Sequence, residues 1–271
     1  MVFGHFSARR RAKLRALPVP PDWRAIVERN LRVFRRLSPA DQVELLGHVQ
    51  VFIAEKHFEG CAGLELTDEI RVTIAAQACL LLLHRDTDYY PRLRSILVYP
   101  SGYTVDEERH VGGGIWEEGS EDLLGHTQQR LGALVLAWDE ARHGAVDPRD
   151  GHNLVLHEFA HQLDFEDNVT DGTPLLETHA EYLAWGRVMS AEFEALRAAE
   201  EEGRPTLIDQ YGARNPAEFF AVVTEAFFER PHALQRSHRA LYEELGRFYR
   251  QDPRSFVSER PPTEGGDATS A

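Results

Sequence analysis

The segment 154–163 is apolar almost all the way round a helix, yet it carries His157, Glu158 and His161. A helix with that pattern packs inside a protein rather than lying on water. Burying two imidazoles and a carboxylate without partners costs several kcal/mol. Residues four apart lie one above the other on a helix, so His157 and His161 aim at one point about a turn apart. Glu158 points beside it. A metal ion at that point partners all three groups, whereas otherwise each needs its own hydrogen-bond partner.

His157-Glu158-Phe159-Ala160-His161 is the HExxH pattern of zinc peptidases, with Glu158 placed to take a proton from a water that the metal activates. Catalytic zinc wants three protein ligands and an open position. Two regions compete for the third. Asp167 closes an HExxHxxGxxH/D type of spacing, but Asp164 stands where that turn wants glycine. The other region is 211–228, where Asn215 and Pro216 read as the N-cap and first residue of a second buried helix. Glu218 and Glu225, seven apart, share one of its faces and are costly unless something positive meets them. Zinc at Glu218 and an imidazole N–H at Glu225 would do so. A first-turn Glu favoured by the helix dipole and a buried ion pair are the alternatives. Asp164 is either the partner of a ligand or a polar stop to the first helix.

The blocks HEFAHQLD at 157–164, DGTP at 171–174, YGARNPAEFFAVVTEAFFERP at 211–231 and LYEELGRFYRQDP at 241–253 are together far more specific than HExxH. Over 150–253 the chain resembles the Mlc titration factor A family of zinc metallopeptidases, gluzincins whose core is similar to that of anthrax lethal factor. The resemblance implies one zinc per chain held by His157, His161 and Glu218, with Glu158 as general base, and it favours Glu218 over Asp167. It also implies that Tyr211, seven residues before Glu218, reaches the scissile carbonyl oxygen, the alternative being a loop ring packed under the helix start. The implied fold is α+β, a zincin-like domain with a small mixed sheet, an HExxH helix and additional N-terminal helices. A strand at 133–138 is the implied edge for an extended peptide.

Two functions follow from the resemblance. One is a zinc-dependent peptidase, aminopeptidase-like, acting on a peptide or protein substrate. The other is a zinc-containing regulator that sequesters a transcription repressor in the control of sugar uptake. A purely structural zinc site would want four ligands, commonly Cys-rich, and the chain has only Cys61 and Cys79. Both read as small hydrophobes in helical surroundings, which fits a reducing, cytoplasmic setting.

A formal net charge of −14 argues against direct nucleic-acid binding. The most apolar run, 75–83, is too short to span a bilayer and is interrupted by Gln77. Residues 1–37 read as a basic, solvated leader and linker without a signal-peptide core. The catalytic domain spans 38–257, and 258–271, rich in Pro, Gly, Ser and Thr, reads as a disordered tail. Helices are expected from Ser38 and from Thr67 and over 177–199, extended chain at 95–105, and loop over 111–125.

Overall fold

The structure is a computed structural model that describes residues 2–101, 132–146 and 151–258. Helices α1 (Val2–Arg15), α2 (Pro21–Asn30) and α3 (Pro39–Glu55) lead into strand β1 (His57–Gly60). Helix α4 (Asp68–Leu80) crosses to β2 (Ser95–Tyr99), and β3 (Ala133–Ala137) runs directly into α5 (Trp138–Val146). Then follow α6 (Leu154–Asp164), α7 (His179–Glu201), α8 (Pro216–Glu229), α9 (Pro231–Ser237) and α10 (Arg239–Tyr249). The architecture is α+β and rich in helix. Among the described residues no helix is long and apolar enough to cross a membrane.

Local chemistry sets the helix starts. The Ser38 hydroxyl accepts from the Asp41 N–H at 3.1 Å, and the Thr67 hydroxyl from the Ile70 N–H at 3.4 Å. At α7 the Thr178 hydroxyl and the Glu181 carboxylate form a reciprocal capping box. The run 75–83 is core: α4 is buried from Val72 to Leu80, and Gln77 ties it to α5 by donating to the Ala141 carbonyl at 2.9 Å.

The sheet has the order β1-β2-β3, with His57 opposite Ser95 and Ser95 opposite Ala133. All three strands are parallel, where a mixed sheet was expected. The helical crossover through α4 returns the chain to the same end of the sheet and makes β1 and β2 parallel. On β2, Ile96 and Val98 are fully buried. The loop expected over 111–125 lies outside the described residues. Cys79 is buried in α4 as expected, but Cys61 follows β1 and is only half-buried.

Residues 2–30, expected as solvated leader and linker, form α1 and α2 instead. Arg11 clamps Glu55 with Nε and Nη2 at 3.0 Å, also pairs with Asp88, and stacks over Tyr89. Leu14 packs on the core, and on α2 Val27 is fully buried. The basic run at the start therefore meets a carboxylate and an aromatic face rather than water alone. At the other end Ser258 is half-buried and bonded to Arg36, while 259–271 lie outside the described residues.

Around α6 the packing is aromatic. Phe159 meets Tyr90 and Phe52 at 4.8 and 5.6 Å between ring centroids, while Trp185 of α7 sits on Phe220 of α8 at 5.5 Å. Between α6 and α7 lies Gly172, whose N–H donates to Asp164 Oδ2 at 2.9 Å and whose carbonyl accepts from Trp185 Nε1 at 3.0 Å. Its φ is +77°, and a Cβ there would sit 2.3 Å from the Pro216 carbonyl oxygen.

Gly172→Ala should therefore destabilise the fold by about 3 kcal/mol or more in chemical denaturation. Gly203→Ala, with φ +63° and open space around it, should lose only about 1 kcal/mol. Equal losses would show that the approach to Pro216 does not matter.

Candidate metal centre

The centre forms where α6 crosses α8. Asn153 caps α6, its Oδ1 accepting from the Leu156 N–H at 3.0 Å, and this sets the helix phase that stacks His157 on His161. Their ring centroids are 4.9 Å apart. Asn215 caps α8 by accepting from the Glu218 N–H at 2.9 Å, which fixes Glu218 in the first turn. Glu218 Oε2 then lies 3.1 Å from His157 Nε2 and 3.4 Å from His161 Nε2, and the two Nε2 atoms are 3.2 Å apart.

Three atoms that carry lone pairs thus face one another. On its far side His157 Nδ1 is 2.8 Å from Glu225 Oε1; a carboxylate only accepts, so Nδ1 carries the proton and Nε2 in the neutral ring is a lone pair. Such a convergence repels unless a proton or a cation sits within it. Two imidazoles and one carboxylate, partly buried, form a donor set suited to a divalent metal such as zinc. The residues fit the ion that HExxH implies.

The charge state agrees. Burial favours the neutral His157 ring, but the hydrogen bonds to Glu218 and Glu225 outweigh it and push the imidazole up to about 10. Burial raises Glu218, yet the two imidazoles hold its carboxyl far below the usual range. Without metal the site keeps a proton where the ion would go.

Glu225 does two things at once. Besides orienting His157, its Oε2 accepts the Asn153 N–H, so one carboxylate fixes both a ligand and the start of the ligand helix. Glu229, one turn on, accepts from the Gly151 N–H at 3.0 Å and from Asn153 Nδ2 at 3.1 Å. Neither Glu229 nor Asn153 was singled out in the sequence. The signal was there: Glu229 follows Glu225 by four on an apolar helix, and Asn153 stands just before the apolar run.

The remaining candidates fall around the pair of helices. Glu158 is half-buried, next to His157 on α6. Tyr211 lies in the short turn Gln210–Ala213, 38% exposed, its ring centroid 6.0 Å from that of His157. Asp164 is fully buried, and its hydrogen bond runs to Gly172 rather than to a histidine; burial pushes its carboxyl up to about 6. Asp167 sits in the turn Phe165–Asp167 and accepts from the Val169 N–H, outside the metal-ligand group.

Metal loading must displace the proton held at His157, so calorimetry at pH 7 in buffers of different ionisation enthalpy should show about one proton released per ion. Its folded-state pKa of about 10 exceeds the ordinary 6.5. The stability this imidazolium gives the metal-free protein is therefore full below 6.5 and lost as pH rises through 10. Release of no proton would overturn the protonated centre. Glu225→Ala should weaken zinc binding roughly 10- to 100-fold in a chelator competition.

Comparison with known proteins gives the family of the chain. An uncharacterised protein of Synechocystis sp. is 41% identical over 251 residues, 93% of this chain and 91% of its own length. Mlc titration factor A of Klebsiella pneumoniae (strain 342) is 31% identical over 230 residues, covering 84% of this chain and 85% of that protein. The protein of the same name from Edwardsiella ictaluri is 31% identical over 224 residues, 80% and 83% of the two chains. Residues 6–250 match the glucose-regulated metallopeptidase family M90, and the chain belongs to that family.

Proposed function

We propose that the protein is a zinc-dependent peptidase of the gluzincin type, cytoplasmic and aminopeptidase-like, with one zinc per chain on a zincin-like domain. The observation that carries the reading is the convergence of His157 Nε2, His161 Nε2 and Glu218 Oε2, with the HExxH glutamate next to His157 on the same helix. A bound zinc would supply Lewis acidity, polarising the scissile carbonyl and making a water acidic.

The chain's own groups do the rest. Glu158 accepts the proton of the attacking water on its carboxylate and delivers it to the leaving amine. The Tyr211 hydroxyl donates to the carbonyl oxygen as negative charge builds there. Glu225 holds the His157 ring by its Nδ1–H, and Glu229 supports it through Asn153. Strand β3, at the edge of the described sheet, offers main-chain groups to an extended peptide.

A second reading rests on the relatives' name. Mlc titration factor A names a protein by its effect on Mlc, so sequestration of a transcription repressor in sugar-uptake control is a role open to this chain. It does not require Glu158. The acidic balance of 44 Asp and Glu against 30 Lys and Arg favours a protein partner over direct contact with nucleic acid.

Glu158→Gln should keep about one zinc per chain and lose at least about 100-fold in turnover of short chromogenic peptides. Full turnover by the zinc-loaded variant would sink the peptidase assignment. Capture of a repressor equally by wild type and Glu158→Gln would establish binding as a separate function.

A further inference from the structure

Arg214 is the exposed cation nearest in sequence to the centre, standing between the Tyr211 turn and the Asn215 cap. Its backbone is held from both sides: its N–H donates to the Tyr211 carbonyl at 3.3 Å, and the next residue caps α8. Its guanidinium carbon lies 4.2 Å from the centroid of the Tyr211 ring, which is itself 6.0 Å from the His157 ring. The charge therefore lies against the ring that stands beside His157.

The guanidinium makes no ion pair or side-chain hydrogen bond among the described residues. Its neighbours in the sequence behave differently. Arg204 pairs with Glu202, and Arg230 donates to the Leu207 carbonyl at 3.1 Å. In a chain where 44 acidic side chains face 30 basic ones, Arg214 is held in place without a carboxylate among the described residues. Resting on the ring restrains the side chain before any ligand arrives, and a stacked guanidinium keeps N–H edges suited to gripping a carboxylate with two bonds.

We infer that Arg214 sets substrate choice, selecting peptides that carry a carboxylate close to the scissile bond. This deepens the peptidase reading and rests on it. The carboxylate is either the peptide's own C-terminus, as in a short peptide free at both ends, or an acidic side chain; the chemistry at Arg214 is the same. A bland alternative is that Arg214 merely covers the Tyr211 ring, in which case substrate charge would be indifferent.

The test uses matched peptides with one scissile bond, as free acid, as amide, and as amide with either Glu or Gln beside that bond. Kinetics of the zinc-loaded full chain should show a roughly 10- to 100-fold preference for the carboxylate-bearing peptides, mainly in KM. Arg214→Gln should abolish that preference, with a larger loss on the carboxylate-bearing peptides than on the neutral amides, and Arg214→Lys should keep part of it. Whichever of the free acid or the Glu amide responds identifies the source. A wild type indifferent to charge, or an Arg214→Gln protein that loses all peptides equally, would overturn the inference.

Binding separates this from the peptidase reading. The free acid and the amide are titrated by calorimetry into Glu158→Gln and into Glu158→Gln/Arg214→Gln. A carboxylate preference present only in the first supports Arg214 even if wild type turns nothing over, in which case only the peptidase reading fails. Equal binding of acid and amide in the first overturns the inference.

Discussion

The contact on which the rest of the centre depends is the pair of hydrogen bonds made by the Glu225 carboxylate. One oxygen takes the His157 Nδ1–H and the other the Asn153 N–H, so a single buried group on α8 fixes the tautomer of a ligand and the position of the helix that bears it. Glu225 is only 5% exposed, and a carboxylate so placed is tolerated because every oxygen has a donor. Glu229 extends the same grip to Gly151. Two carboxylates one turn apart thereby hold the segment that enters α6.

Everything around this contact makes it rigid. α8 is buried along nearly its whole length, with Phe219, Phe220, Phe227 and Phe228 each at most 2% exposed. Burial of such rings contributes roughly 1.5–3 kcal/mol apiece and leaves α8 little freedom to shift. At the far end of α6, Asp164 and Trp185 close on Gly172 from its two polar sides. The ligand helix is thus anchored at both ends by polar bonds and along its length by the rings of Phe52 and Tyr90 against Phe159. A metal centre needs that rigidity, because ligand directions and not only ligand types decide what it binds.

The surface near the centre is of a different character. Tyr211 is exposed and lies in a single turn of 3-10 helix, and Arg214 rests on it. Buried carboxylates hold the histidines, while exposed groups sit on the short segment just before α8. The family membership and the donor set agree on a metallopeptidase.

The sequence by itself determined the elements that local chemistry governs. The HExxH spacing gives the stacked histidines, Asn215-Pro216 gives the start of α8, and Ser38 and Thr67 give two further caps, because a helix start is decided by a handful of adjacent atoms. The seven-residue interval between Glu218 and Glu225 already placed both on one face. What the sequence could not decide was which distant groups meet. The bonds from Glu225 and Glu229 to residues 151–153 span more than seventy positions, and no periodicity encodes them. The parallel sheet depends on a crossover, and β1 is too short to announce itself. The basic leader is docked helix where Glu55, Asp88 and Tyr89 meet Arg11 across the fold. Charge on a sequence reads as solvated until tertiary structure brings its partner within reach, since an ion pair is a property of two places and a sequence shows only one at a time.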